Sequence, residues 1–352
     1  MKKVLSVISV FILIYLLLTQ PFTVYARTDV TDEILKIITT DLSENEYGGC
    51  YIENGVVHLL AINETSKDCL NHLTKLGCII ENASYSLSYL KTIMDEITEI
   101  SKGSKSVIIE LNDRKNNIVV SIFGEDDTER LTSILQKKDY YNILVFDSLS
   151  SCISIAGSKN IEKSMTATNN VFAGTTLSCN GGYTAGFCLG SGGFYMCGHY
   201  LSIGSIIKTP TGTTIGTVTK QQLSGNADAA YVTITNPNWS AVKKWVTGET
   251  YYAGLMYNRY YTVGTYVKMK GSQTTTSTGV IQSSSVSFTI GGIQLTDQVK
   301  ASYTCKNGDS GAAVFNLSSV ALGIQSAGAN YNSTSQCYMT SFFSKYENVV
   351  AI

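Results

Sequence analysis

Between residues 157 and 175 the chain changes texture, and that change limits what each half can fold into. Glutamate and lysine thin out, and glycine, threonine, serine and tyrosine take their place. The runs that follow are short, β-branched and punctuated by Gly or Asn: Thr213 to Val218, Ala230 to Thr235, Tyr261 to Lys270, Gly279 to Ile290 and Ala312 to Leu317. Such side chains fit a pleated, half-buried surface. Many short strands at this spacing predict a barrel or a sandwich. In this half only Thr340 to Val349 carries a helix-like pattern.

The region before the change is mixed α/β. Thr31 to Ile38 begins like a helix, and Ser84 to Ile100 places Leu87, Leu90, Met94 and Ile97 on one face of another. Ser106 to Leu111 and Asn117 to Phe123 read as strands joined by the polar Asn112 to Asn116, a hairpin signal. Thr128 to Gln136 reads as a helix and Tyr141 to Phe146 as a further strand. The histidines here, His58 and His72, have no catalytic company and are expected to be structural or superficial. Charge separates the halves as well. Residues 27–165 hold 14 Lys+Arg against 22 Asp+Glu, and residues 166–352 hold 10 against 5. Opposite balances predict that the two units dock on each other.

At 352 residues the chain exceeds one average domain. Its 44% apolar and 15% charged content describes packed cores and not a disordered chain. No Lys/Arg cluster with interleaved aromatics points to nucleic acid. Met1 to Ala26 reads as a secretory signal: Lys2 and Lys3, an apolar run from Val4 to Leu18, then Val24-Tyr25-Ala26 as a small-residue cleavage site. The run falls short of the roughly 20 residues a spanning helix needs, so no stable membrane association is expected. An uncleaved anchor, making this a cell-surface β domain, is the competing reading. Nine cysteines without a C-x-x-C pair, behind an export signal, predict disulfides and not zinc.

The chemistry concentrates in Asn307-Gly308-Asp309-Ser310-Gly311-Ala312. A serine between glycines lets a carbonyl approach the backbone, where the N–H groups of Gly308 and Ser310 can face one developing oxyanion. The same hexapeptide also suits a polar turn, so partners decide. A serine nucleophile needs a base, and the base needs an orienting acid. Of three histidines only His199 lies in the C-terminal half, and downstream of it stand only Asp228, Asp297 and Asp309. Asp309 adjoins the serine, and Asp297 lies in a polar run. Asp228 sits in the small-residue segment Asn226 to Val232 that leads into a β-prone run. The order His199, Asp228, Ser310 is that of chymotrypsin and not of subtilisin or the α/β-hydrolases.

With order and texture in hand, residues 170–352 resemble chymotrypsin-like serine endopeptidases, closest to the bacterial streptogrisin and alpha-lytic protease branch. The matching pieces are Gly193 to His199, Asn226 to Val232, Lys270 to Thr275 with Thr278 to Ile281, Cys305 to Gly311, and Ala321 to Gly328 ahead of Cys337. The resemblance implies an all-β, trypsin-like double six-stranded antiparallel barrel with the triad between the barrels. It implies Ser310 as nucleophile, His199 as general base and then acid, Asp228 as the orienting carboxylate, and Gly308 and Ser310 as oxyanion donors. It further implies that Ser326, Ala327 and Gly328 line the primary pocket and pair with substrate backbone, and that Cys305 bridges to Cys337. Asp309 would be buried against a cation, with Lys268, Lys270 and Arg259 as candidates. Residues 27–165 loosely resemble the prosegments of that branch. This gives a three-part chain: signal 1–26, acidic α/β prosegment 27–165, protease domain 166–352.

Two departures stand out. Tyr200 follows the histidine where the family usually has cysteine, and Cys197 precedes it by two, so Cys197 would pair with Cys188 or Cys179 if at all. Ala312 replaces the third glycine of the serine motif. No acid lies in Ala301 to Thr304 and no histidine near Gln325, so an apolar or uncharged primary residue is expected. The expected protein is thus a secreted bacterial serine endopeptidase, made as a preproenzyme and monomeric, with its own prosegment and polypeptide substrates as partners. It needs no metal or cofactor. The alternative is a catalytically silent, protease-like secreted binding module.

Overall fold

The computed structural model describes residues 29–148, 153–154, 169–179, 181–246, 248–253, 261–290 and 292–352. The expected signal 1–26 and most of the expected processing stretch 157–175 lie outside them. Among the described residues no helix is long and apolar enough to cross a membrane.

The N-terminal region folds largely as its periodicities dictate. It runs α1 (Asp29–Asp41), β1 (Tyr47–Glu53), β2 (Val56–Ala61), α2 (Lys67–Lys75), β3 (Ile79–Asn82), α3 (Leu87–Ile100), β4 (Ser106–Asn112), β5 (Asn117–Ile122), α4 (Glu125–Leu135) and β6 (Leu144–Ser148). The Ser86 hydroxyl caps α3 by accepting the Tyr89 N–H. Leu90, Met94 and Ile97 then face a core shared with Leu35 and Leu59. The β4–β5 hairpin turns at Asn116, whose positive φ of 52° asparagine tolerates. Its amide also accepts the Ser84 and Tyr85 N–H groups and donates to the Gly48 and Tyr85 carbonyls. The expected strand at Tyr141 starts later. Tyr141–Ile143 is a 3₁₀ turn, and β6 begins where Leu144 meets Ile118.

The C-terminal half is β7 (Asn170–Ala173), β8 (Thr176–Ser178), β9 (Gly182–Thr184), β10 (Gly193–Met196), β11 (Ile206–Lys208), β12 (Thr214–Ser224), β13 (Ala227–Ile234), β14 (Ser240–Trp245), β15 (Tyr266–Met269), β16 (Ser277–Ile290), β17 (Ile293–Ala301), β18 (Ala313–Asn316), β19 (Ala321–Asn332), β20 (Cys337–Lys345) and α5 (Tyr346–Val350). Six antiparallel strands form the first unit in the order β10-β13-β12-β11-β8-β9, a curled half-barrel. The second runs β15-β18-β19-β20-β17-β16, and pairing of β15 with β16 closes it into a six-stranded antiparallel barrel. This is the trypsin-like double barrel. Leu177, Phe187, Phe194 and Val232 fill the first core, and Val267, Ile281, Tyr303 and Phe343 fill the second. Full burial of each large apolar side chain is worth about 1.5–3 kcal/mol.

The helix expected at Thr340 to Val349 is mostly strand, with only Tyr346–Val350 helical. Phe342 and Phe343 point to opposite faces of β20, and both are buried, one in each of two clusters. A strand buried on both sides loses its alternation, and a continuous apolar run does not announce its period.

The two regions share one sheet. β16 is long enough to pair with β15 through Ser277 to Val280 and with β4 through Val286 to Ile290, so β4, β5 and β6 extend the barrel wall. The seam is mostly backbone and apolar: Ile108 packs with Val286, Phe288 and Phe342. The expected charge complementarity is there, in a Lys300–Glu110 ion pair at 2.6 Å. Asp113, at the hairpin tip, accepts the Ser284 N–H at 3.1 Å and its hydroxyl at 2.7 Å.

Candidate active site

β10 and β13 are neighbours, with Met196 opposite Ala230. Carrying that antiparallel register two residues further puts Gly198 opposite Asp228. The close approach requires glycine, since a Cβ at 198 would lie 2.6 Å from both the Ala229 and Gln222 carbonyl oxygens. Asp228 Oδ1 accepts the N–H groups of Gly198 (2.7 Å) and His199 (2.9 Å). Its Oδ2 accepts His199 Nδ1–H (2.5 Å) and the Ser326 hydroxyl (2.6 Å). The carboxylate is 0% exposed and the imidazole 1%. Burial disfavours the charge, yet the adjacent His199, the Ser326 hydroxyl and the Gly198 N–H outweigh it and hold Asp228 below the usual carboxylate range.

A carboxylate accepts only, so the His199 proton belongs on Nδ1 and Nε2 is left as an acceptor. That Nε2 is buried and makes no hydrogen bond. Ser310 stands in the loop between β17 and β18, 4% exposed, with its carbonyl accepting the Thr184 N–H at 2.9 Å. Gly308 and Gly311 flank it at φ of +100° and +91°, a region that favours glycine. A Cβ at 311 would meet Cys197 N at 3.0 Å and Met196 Cβ at 3.2 Å. The serine loop is therefore wedged against the end of β10, next to the histidine. The Gly308 carbonyl is turned aside by two hydroxyls, Thr184 (2.8 Å) and Ser272 (3.0 Å).

The chain is similar to bacterial chymotrypsin-like serine proteases. The Nocardiopsis protease NAPase shares 22% identity over 51% of this chain and 94% of its own, with a TM-score of 0.43. The Cellulomonas bogoriensis chymotrypsin shares 22% over 52% and 94%, also at 0.43, and the alpha-lytic protease homolog N4 shares 20% over 52% and 96%, at 0.42. No protein-family model and no curated protein sequence matches the chain.

Asp309 departs from expectation. It is buried, but among the described residues no Lys or Arg pairs with it. Its Oδ1 accepts the N–H groups of Gln273 (2.8 Å) and Thr274 (3.0 Å), and its Oδ2 that of Lys306 (2.8 Å). Burial still raises its pKa. Gly271 makes room, because a Cβ there would collide with this carboxylate. Lys268 lies instead over the Trp245 ring at 5.1 Å, and burial holds the Lys270 pKa down. Arg259 lies outside the described residues.

The cysteines also differ from expectation, since all eight described ones are thiols. Cys305 bridges to Tyr338, the neighbour of Cys337, which itself pairs with Asn332, and Cys337 is near enough to add to the raised pKa of Cys305. Cys305 Sγ accepts from Gln325 Nε2 (3.3 Å), and burial pushes its pKa up to about 12. Cys197 is fully buried, and burial with the Asp228 charge pushes its pKa well up. Cys188 sits 3.3 Å from the Tyr251 hydroxyl. Tyr200, at φ 59°, turns its ring edge-on to His199 at 5.4 Å.

The hydroxyl of Ser326, a residue expected to line the pocket, completes the shell of Asp228. It falls at a bulge between Gln325 and Ala327 in the β19–β20 ladder, which frees it from strand pairing. Ala327 and Gly328 continue that strand edge, opposite Phe342 and Ser341. Behind them Gln325 receives the Tyr303 hydroxyl (2.5 Å) and donates to the Ala327 carbonyl (2.8 Å). Sequence reasoning did not find Thr184, Ser272 or Ser344, which accepts the Asp228 N–H at 3.0 Å. Each is one hydroxyl among many, made specific only by long-range pairing.

Proposed function

We propose that this chain is an exported serine endopeptidase, made as a preproenzyme of signal 1–26, prosegment 27–165 and protease domain 166–352. One observation carries the reading. A fully buried Asp228, every lone pair engaged, holds His199 through Nδ1 and leaves Nε2 without a hydrogen bond, while the glycine-flanked serine loop is wedged against the end of β10 that leads to His199. Ser310 Oγ passes its proton to Nε2 as it attacks a peptide carbonyl, and the imidazolium that forms is stabilised by Asp228. The proton then goes to the leaving amine, and water repeats the sequence on the acyl-enzyme. The N–H groups of Gly308 and Ser310 serve the oxyanion, supported by the positive φ of Gly308 and the two hydroxyls that orient its carbonyl. A donor held this way is worth about 10²–10³ in rate. Ser326, Ala327 and Gly328 offer an edge to substrate backbone, and the primary residue is apolar or uncharged. The protein acts as a monomer on polypeptides outside the cell.

Labelling with a fluorophosphonate probe, read by intact mass, tests this. Wild type is expected to label once and to hydrolyse an unfolded protein substrate, and Ser310→Ala to do neither, with turnover lower by on the order of 10⁴ or more. Folded wild type that does not label would leave a silent binding module as the reading. Labelling that survives Ser310→Ala would assign the wrong serine.

A further inference from the structure

Directly after the histidine the backbone takes a conformation that its side chain disfavours. Tyr200 has a φ of 59°, and the other described non-glycine residues with positive φ are all Asn, Asp, Ser or Gln. A bulky side chain there is an outlier, and such strain persists only where the surrounding structure imposes it, often at functional sites. The contacts that impose it are hydrogen bonds at both ends of the turn. Leu201 N–H donates to the Gly198 carbonyl at 3.2 Å, and Gly204 N–H donates to that of Val218 at 2.8 Å. Leu201 is buried in the first core. The same turn leaves Tyr200 66% exposed and Ile203 69%. An aromatic ring is thus held out of the core, edge-on to His199 at a centroid distance of 5.4 Å. A second aromatic beside the imidazole, Tyr183, lies at 6.4 Å and is buried. Of these two rings, Tyr200 is the one open to a ligand.

The proton transfer decides what reaches that ring. His199 Nε2 must come within hydrogen-bond reach of the leaving nitrogen to protonate it. That nitrogen belongs to the first residue downstream of the cut, so this residue lies against the imidazole and its neighbour. Residues upstream have the Ala327–Gly328 edge instead. We propose that the Tyr200 ring is the wall that receives the side chain of the first downstream residue, and that the site favours an aromatic or large aliphatic residue there. The inference rests on the endopeptidase reading and adds a substrate class to it. The wall is this chain's own, because Tyr200 is one of its departures from the serine-protease pattern. An apolar side chain laid on the exposed ring removes surface from water on both partners, and an aromatic one adds a favourable ring pair. A carboxylate in that place gives up water to an apolar face.

The test digests a reduced, unfolded protein mixture with the form of the chain that labels with fluorophosphonate, and reads every cut by mass spectrometry. Phe, Tyr, Leu and Ile are expected immediately after the cut about tenfold more often than Asp and Glu, relative to their abundance. Two peptides that differ only in that residue, Phe against Asp, then give a ratio of kcat/KM values. Glycine and asparagine both accept a φ of 59°, so Tyr200→Gly and Tyr200→Asn are expected to fold and to melt no earlier than wild type. Each is expected to lower the ratio about tenfold, while Tyr200→Phe retains it. Labelled wild type that shows no downstream preference overturns the inference. So does a ratio unchanged in both Tyr200→Gly and Tyr200→Asn, or one lost equally in Tyr200→Phe. A folded wild type that neither labels nor cuts overturns the endopeptidase reading itself, so the two failures are distinguishable.

Discussion

Four donors converge on one carboxylate in Asp228, and only one of them is the imidazole. The other three hold the charge in place before any substrate arrives. A hydrogen bond to a charged group contributes about 1.5–3 kcal/mol. Ser326→Ala is therefore expected to lower kcat about tenfold or more with little change in KM, measured on a peptide substrate. Stability should respond in acid. The folded pKa of Asp228 is depressed, so its contribution is present above the unfolded value, near 3.8, and is lost as pH falls through the folded value. Removing the Ser326 donor raises the folded value, so acid unfolding of Ser326→Ala should begin at a higher pH than in wild type. Coincident acid-unfolding curves would show that the hydroxyl does not support the charge. His199 and Asp228 stood out because histidine and aspartate are scarce in this half, and the structure pairs the two. Charge reasoning looks for a cation beside Asp309 and does not anticipate its backbone donors, Gln273, Thr274 and Lys306, because any backbone N–H can solvate a buried carboxylate.

At the scale of elements, the long strand β16 and the hairpin tip at Asp113 join the halves. The helices and hairpin of the N-terminal region were legible because their periodicity lies within each segment. The seam was not, because Asp113 and Ser284 are 171 positions apart and neither is marked by its neighbours. Asp113 is buried there, and burial raises its pKa to about 6 against the two Ser284 hydrogen bonds that lower it. The folded pKa exceeds the unfolded one, so the stabilisation is complete below the unfolded value and is lost as pH rises through about 6. Two units correspond to about 3 kcal/mol. Nearby Glu110 works in the same direction and Lys345 against it. In the uncut Ser310→Ala background, the urea midpoint is expected to fall between pH 4 and pH 7, and Asp113→Asn to flatten that slope. An equal slope in both proteins would place the pH dependence elsewhere.

Over the whole molecule, the described contacts between the two regions, the β4–β16 seam and the Tyr51–Val263 bridge among them, lie outside the linking stretch. Once the linking chain is cut, β4 still lies on β16, Ile108 still packs with Phe288 and Phe342, and Lys300 still pairs with Glu110. Undocking would expose Phe288 and the long free edge of β16, and an unpaired apolar strand edge invites association with other chains. The docked region also keeps Ile153 and Ser154 on the Gly328 edge, where the proposed substrate strand would lie. The freshly cut pair is therefore expected to elute as one species and to turn over peptide slowly. Turnover should rise as the N-terminal fragment is degraded. Adding purified fragment back to the freed protease domain should suppress it again, competitively with peptide, because both use the Gly328 edge. Size-exclusion chromatography alongside a peptide-hydrolysis assay reads both effects. A pair that separates at once with full activity, or inhibition that excess peptide does not relieve, would mean that the edge of β19 is not where the two compete.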